Sequence, residues 1–299
     1  MQTRRIFVTG GNGYIGSNII KEYLANGWEA TAWVRDAKRA GNIDVPGVTI
    51  VEGELTQHDK LFEAARGHDV VVHTADVDPA VAQDAMNVLI SASIATATAD
   101  KSRNVKFIFC SGCMVNGTDG EVRDESVFCD VPFEALRWKV PFEIYVDAFN
   151  GELPNFSTAS IRPSWVYGLS AKNYTNDYLK FCKDNGRVPV TDDIKDDNHM
   201  AFVHILDVAR CFYLVGSGKA TGIVNAADNE FISAKDFFSA LSEFLGAPIV
   251  DEYNSGYFPS FCAVSNQRIK TIRDKEIGWT RKYGSIIKEL PRVFSELYN

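Results

Sequence analysis

Eighteen consecutive apolar residues, about the minimum for a membrane-spanning helix, occur nowhere in this 299-residue sequence, so no membrane partner is expected. Blocks of Lys and Arg are missing too, and the formal net charge is −8. Binding a phosphate backbone needs clustered cations, so nucleic acid is excluded as a main partner and a small-molecule substrate is expected. Cysteine is sparse: six residues stand at 110, 113, 129, 182, 211 and 262, and only Cys110 and Cys113 form a CxxC. No second CxxC or His pair follows, so we expect no metal site and read the thiols as buried. That usage suits a reducing compartment. With no signal peptide before the first apolar run, the expected location is cytoplasmic. Internal repeats and low-complexity linkers are also absent.

What is present is an ordinary globular composition, 45% hydrophobic and 23% charged, long enough for one large domain or a domain with a smaller lobe. Apolar runs of strand length alternate with helical stretches, as in βαβ units building a parallel sheet buried on both faces. The spacing predicts strands at Arg5–Thr9, Ala30–Val34, Val48–Val51, Val70–His73, Lys106–Cys110 and Ser157–Ile161. Helices are predicted over Gly16–Asn26, Gln57–Arg66, Ala80–Ser102 and Phe133–Asn150. The last third is less regular. It offers a helix over Asn173–Asn185, a polar loop at Asp192–Asn198, an apolar pattern from Ala201 to Val215, a strand at Gly222–Asn225 and a helix over Ala234–Leu245. The fold class expected is α/β: a doubly wound parallel sheet with a smaller, discontinuous C-terminal substrate lobe. We divide the chain into 1–165 with 201–228 for cofactor and 166–200 with 229–299 for substrate.

The strongest motif is Thr9-Gly10-Gly11-Asn12-Gly13-Tyr14-Ile15-Gly16, directly after a strand and opening a helix. Gly10 suits the tight turn, Gly13 lets backbone approach a pyrophosphate, and Gly16 lets helix pack on strand. The helix N-terminus then offers N–H groups to the phosphates. Dinucleotide binding on a Rossmann-type domain follows. Where an NAD-selective protein places a carboxylate after the second strand, this chain has Arg35, with Lys38 and Arg39 close behind. A guanidinium there can pair with a 2′-phosphate, which favours NADP(H); a solvated cationic turn is the alternative, since Asp36 is adjacent.

These residues resemble the extended or atypical short-chain dehydrogenase/reductase family, which includes epimerases, dehydratases and dihydroflavonol-type reductases, over nearly the whole chain. Val34-Arg35-Asp36 is similar to its NADP-selective turn. Glu54-Leu55 stands where the family has Asp-Leu beside adenine, His73-Thr74-Ala75 resembles its His-x-Ala, and Asn87 takes the place of its structural Asn. Arg162-Pro163-Ser164-Trp165-Val166-Tyr167-Gly168 and Phe202-Val203-His204-Ile205-Leu206-Asp207-Val208-Ala209 resemble later family segments. The resemblance implies cofactor contacts at Gly10, Gly13, Tyr14, Ile15, Gly16, Arg35, Lys38, Glu54, Leu55, Thr74, Ala75, Lys139, Pro163 and Val166.

The family's catalytic signature is a Ser, a Tyr, and a Lys four residues after the Tyr, the Tyr moving the proton at the substrate oxygen. Here Lys139, Glu143 and Val146 match the rhythm of that helix, yet Ala135 stands where the Tyr belongs. The serine's expected place holds Gly112, with Ser111 beside it. Lys139 retains a ribose-binding or acid role, or is a snorkelling surface lysine. Catalytic candidates are Lys139, Ser111 and Tyr167, the last also readable as a packing residue. His204 and Cys113 read better as core residues, and Trp138, Trp165 and Tyr167 line a pocket or pack the core. Three functions remain in view: an NADP(H)-dependent oxidoreductase working without the tyrosine, a silent NADP(H)-binding regulator, and a redox-neutral enzyme with a structural cofactor. The chain is expected to be a monomer or homodimer.

Overall fold

The computed structural model describes residues 3–126, 134–169, 172–191, 194–195, 197–252 and 266–298. Cys129, Cys262, Phe133 and part of the 192–198 loop lie outside the described residues. Seven strands form one parallel sheet: β1 (Arg5–Thr9), β2 (Glu29–Val34), β3 (Val48–Glu52), β4 (Val70–His73), β5 (Val105–Cys110), β6 (Phe156–Pro163) and β7 (Gly222–Ala226). Their order is β7-β6-β5-β4-β1-β2-β3, so the chain winds outward in opposite senses from the parallel pair β1 and β4. Such a switch point opens a crevice at the carboxyl ends of the strands, where this fold class binds ligands.

Strand β1 shows why the sheet is covered on both sides. Alternate side chains leave opposite faces of a strand. Ile6 and Val8 join a core with Ile19, Ile20 and Tyr23 of helix α1 (Tyr14–Ala25). Phe7 points into a second core with Leu61 of α2 (His58–Ala65) and Ala85, Met86 and Leu89 of α3 (Pro79–Ala99). Asp78 caps α3 through its side chain, and Pro79 occupies the first helical position, where its missing N–H is harmless. On this second face lies α4 (Lys139–Asp147), which packs Phe142 and Val146 there.

A third core belongs to the smaller lobe. It joins α5 (Tyr174–Asn185), α7 (Ala234–Leu245) and α8 (Ile286–Tyr298) through Leu179, Phe237, Leu241, Leu290 and Phe294. Helix α6 (Ile205–Ser217) instead packs Val208, Phe212 and Val215 on the sheet beside α1. Observed strands agree with the expected ones to within two residues, and Ala234–Leu245 is reproduced at both ends.

One element departs from expectation in a way that reaches the site. The helix expected over Phe133–Asn150 begins only at Lys139, after a single 3-10 turn at Glu134–Leu136. Pro141 explains the late start. Proline lacks an N–H and crowds the preceding turn, so it is tolerated in a helix's first turn and not four residues further in.

Candidate functional site

The β1–α1 turn carries the expected geometry. Gly10 has φ of +65°, and a Cβ at Gly16 would lie 2.3 Å from the Gly10 carbonyl oxygen, so the helix sits on the turn with no room for a side chain. Gly13 is different: its φ is −75°, and the nearest atom to an added Cβ is 3.1 Å away. It is the N-cap residue of α1 and, being glycine, offers no side-chain cap to that end. A helix start of this kind leaves its first N–H groups available, the arrangement that suits an anion.

From this helix start a cleft of about 1070 Å³ runs along the carboxyl edge of the sheet. Gly10, Gly13, Tyr14, Ile15, Gly16, Arg35, Glu54, Leu55, Thr74 and Ala75 all line it. Leu55 is buried and Glu54 exposed. Thr74 donates its hydroxyl to the Thr9 carbonyl at 2.6 Å, tying β4 to the turn. Arg35 is exposed and forms no ion pair among the described residues. Lys38 is exposed and lines neither this cleft nor its neighbour. Asn87 is exposed on α3, accepting from the Gln83 amide at 3.2 Å.

A second cleft of about 240 Å³ adjoins the first, and Tyr14, Ile15, Asn173 and Tyr174 line both. Its walls are Ser111 to Met114 after β5, Pro163 to Val166 at the end of β6, and Leu136, Thr175 and Gln267. Pro163, Val166 and Ser111 therefore come together here rather than in the larger cleft. Ser111 is buried, and its hydroxyl has no partner among the described residues. Cys113 donates its thiol to the Arg162 carbonyl at 2.9 Å, and burial pushes its pKa up to about 12. Cys110 is pushed up to about 11 by burial as well. Both are free thiols, and no His, Cys, Asp or Glu cluster among the described residues could hold a metal.

Beneath this second cleft lies a buried polar network that the sequence reading did not contain. Arg162 and Glu143, 1% and 0% exposed, pair in bidentate fashion at 2.9 and 2.5 Å. Arg162 also donates to Asn116 at 2.5 Å, and Asn116 donates to Asn225 at 3.2 Å. Gln267 donates its amide to the Cys113 and Gly117 carbonyls. The Arg-Pro and Lys-x-x-x-Glu matches thus serve one ion pair that holds α4 to β6.

Lys139, first residue of α4, lines neither cleft, but its ammonium lies 6.0 Å from the centre of the Phe109 ring and 5.2 Å from that of Trp138. It is close to His73, whose pKa is lowered to about 4 by burial first and by the Lys139 charge second. This places Lys139 beside the carboxyl ends of β4 and β5. Residue 135 belongs to the 3-10 turn before α4, so the four-residue step to Lys139 does not run along one α-helical face as the sequence implied.

Tyr167 lines neither cleft. It is fully buried, donates its hydroxyl to the Gly284 carbonyl at 2.7 Å, and has a pKa raised by burial. The structure brings it to the third core, not to the clefts. His204 is a core histidine: it caps α6 through Nδ1 and stacks on Tyr283 at 3.7 Å, and burial lowers its pKa to about 3. Its ring also forbids any side chain at Gly168, where a Cβ would come within 2.1 Å.

Residues from the smaller lobe complete both clefts and were missed. Asn173, Tyr174 and Asp177 reach the larger one from the start of α5. Asn173 caps α5 by accepting from the Asn176 N–H at 3.0 Å, a signal legible before the helix, but nothing local says that this end meets the glycine turn. A further cavity of about 610 Å³ opens at the amino edge of the sheet, away from all these residues, with Lys106 donating to the carbonyls of Val215, Gly218 and Ala220.

Comparison with known proteins adds a family. The model of the NAD dependent epimerase/dehydratase family matches residues 6–227. An uncharacterized protein of Schizosaccharomyces pombe is 25% identical over 297 residues, covering 96% of this chain and 98% of its own length. A 4-hydroxy-2-methyl-3-oxo-4-farnesyl-3,4-dihydroquinoline-1-oxide ketoreductase of Stigmatella aurantiaca is 30% identical over 171 residues, 55% of this chain and 51% of that protein. Among solved structures, the UDP-glucose 4-epimerase of Thermus thermophilus in complex with NAD superposes with a TM-score of 0.80 at 19% identity, covering 99% of each chain. No helix among the described residues is long and apolar enough to cross a membrane.

Proposed function

We propose that this chain, which belongs to the NAD dependent epimerase/dehydratase family, binds NADP(H) in its larger cleft and is an oxidoreductase acting on a small organic substrate held in the smaller one. The observation that carries this reading is the continuity of the two clefts through Tyr14, Ile15, Asn173 and Tyr174 at the carboxyl edge of the sheet. The residues present fit the cofactor. The start of α1 suits a pyrophosphate, Leu55 and Ala75 offer apolar contact, and Arg35 is a free cation at the end of β2 where a 2′-phosphate would sit. The family and structural neighbours that hold NAD support a nicotinamide cofactor, and Arg35 supports its phosphorylated form. In this reading 1–165 with 201–228 holds the cofactor, and 166–200 with 229–299 shapes the substrate side. No contact with nucleic acid is proposed, and a cytoplasmic monomer or homodimer is the working assembly.

When bound, the nicotinamide supplies or accepts the hydride. The chain's own part is binding, orientation and proton control. Ser111 offers an unpaired hydroxyl to the substrate oxygen, and Lys139 places a positive charge near the ribose side. With alanine at 135, no phenol moves the proton there. Two ionisable groups of the smaller cleft are held neutral, because burial pushes Cys113 up to about 12 and raises Tyr14 well above its ordinary value. Water or the substrate then supplies the proton, and turnover is slow beside a tyrosine relay, which contributes roughly 10²–10⁴-fold. The absence of a phenol at 135 favours, as the second reading, a cofactor-binding regulator without turnover.

Titration with NADPH and NADH, followed by NADPH consumption across a carbonyl panel, separates these readings. NADPH binding with measurable turnover supports the oxidoreductase, and binding without turnover supports the regulator. Lys139→Met should weaken NADPH binding in either case. Equal affinity for NADH and NADPH would remove the phosphate assignment.

A further inference from the structure

Fifteen of the described residues line the smaller cleft, and none of them is Asp, Glu, Lys, Arg or His. Of its ionisable groups, the Cys113 thiol and the Tyr14 phenol are held neutral by burial. The chain outside the described residues adds no cation either, since those segments contain no Lys or Arg and four aspartates: Asp130, Asp192, Asp193 and Asp196. The volume is about 240 Å³, on the order of eight waters and below the range of drug-sized pockets. Trp165 and Tyr174 give it aromatic surface, and Ser111 gives it a hydroxyl without a partner.

Moving an anion from water into such a space without a cation is strongly unfavourable, whereas a neutral ring gains from apolar burial. We infer that the smaller cleft takes a neutral, mostly apolar carbonyl compound or alcohol of about single-ring size, and rejects phosphorylated, carboxylated and nucleotide-linked substrates. This rests on the reading of the adjoining cleft as the cofactor site. It also separates the chain from structural neighbours that hold UDP-sugars, one of which contains UDP-N-acetylmuramic acid.

Calorimetric titration of the full chain saturated with NADP⁺ tests this, with benzyl alcohol and cyclohexanol as neutral probes and benzoate and UDP-glucose as anionic ones. At least one neutral probe should bind, with benzoate about tenfold weaker or worse and UDP-glucose silent. Two substitutions fix the location. An added Cβ at Gly112 would lie 3.5 Å from Leu136 across the cleft, so Gly112→Leu should abolish binding of the neutral probe while NADP⁺ still binds. Met114→Lys puts a cation in the wall and should raise benzoate affinity about tenfold. The inference is overturned if UDP-glucose or benzoate binds the native chain as tightly as the neutral probes. It is overturned equally if neither neutral probe binds, or if Gly112→Leu leaves neutral-probe binding unchanged. Failure of NADP⁺ to bind sinks the cofactor reading instead, and the same four probes titrated into the cofactor-free chain then decide the charge argument.

Discussion

Replacing Arg35 by serine is the sharpest perturbation of the proposed cofactor site. Two acids beside Arg35, Asp36 in the same loop and Glu52 on the neighbouring strand, each accept a backbone N–H of the loop. Asp36 accepts the Lys38 N–H at 2.9 Å, and Glu52 accepts the Ala37 N–H at 2.8 Å. These bonds pin the loop after β2 and leave the guanidinium facing the cleft with no ion pair among the described residues. A charge-assisted bond to phosphate is worth about 1.5–3 kcal/mol, and exposure puts Arg35 at the lower end, so the change should weaken NADPH binding about tenfold. NADH, with no 2′-phosphate, should bind the variant and the native chain alike. Lys38→Ser, at a position lining neither cleft, should cost NADPH less than Arg35→Ser does. Because the site is open to solvent, raising salt from about 0.05 to about 0.5 M should narrow the native preference. Nicotinamide fluorescence titration measures all of this. An unchanged NADPH-to-NADH affinity ratio in Arg35→Ser would refute the reasoning.

The two glycines of the turn should behave differently: Gly13→Val should stay folded and lose NADPH, whereas Gly16→Ala should lower Tm because its Cβ meets the Gly10 carbonyl, and thermal melts beside cofactor titrations tell them apart. Glu143→Gln leaves the Arg162 charge buried without its partner and should destabilise the chain by about 3–5 kcal/mol in urea unfolding, whereas Arg66→Ala at the exposed Glu63 pair should change stability by less than about 0.5 kcal/mol. Acid should destabilise the fold between about pH 6.5 and about pH 4. His68 and His73 titrate at about 4 and His204 at about 3, each lowered first by burial, so unfolding takes up their protons in that window; Asp228, raised to about 7 by burial, opposes them. The net is about two protons near pH 5.5, or about 2 kcal/mol lost per pH unit, and a urea midpoint that stays level from about pH 7 to about pH 5 would contradict it.

Short-range pattern carried much of the fold. The run Val70–His73 is apolar on both faces because β4 lies between β1 and β5, and a strand so placed needs no alternation. The glycine turn was legible because its three constraints, positive φ at Gly10, a 3.1 Å Cβ approach to the Gly10 carbonyl at Gly13 and a 2.3 Å one at Gly16, each favour glycine for a local reason. The smaller cleft and its surroundings were not legible in the same way. Gln267 reaches the Cys113 and Gly117 carbonyls across 154 and 150 residues of chain, and Asn173 meets Tyr14 from a different lobe. Such juxtapositions come from tertiary packing, and no window of sequence contains both partners.

The stretch from Ala135 to Lys139 shows how a resemblance and a local rule can pull apart. Spacing relative to a family motif assumes that the backbone between the matched residues is the family's, here a continuous helix. Pro141 argues against that assumption from within the sequence, since a proline at that place belongs in a first turn, and α4 does begin two residues before it. The helix continues correctly beyond, with Glu143 and Val146 on the faces the motif expects, one in the Arg162 pair and one in the core behind β6. So the motif's structural half survives while its catalytic half loses both the phenol and the helical turn that would present it. Restoring tyrosine at 135 therefore supplies only one of two missing conditions. What remains beside the clefts is Lys139 near His73 and the Ser111 hydroxyl in the adjoining cleft, and these are the groups on which the proposed chemistry rests.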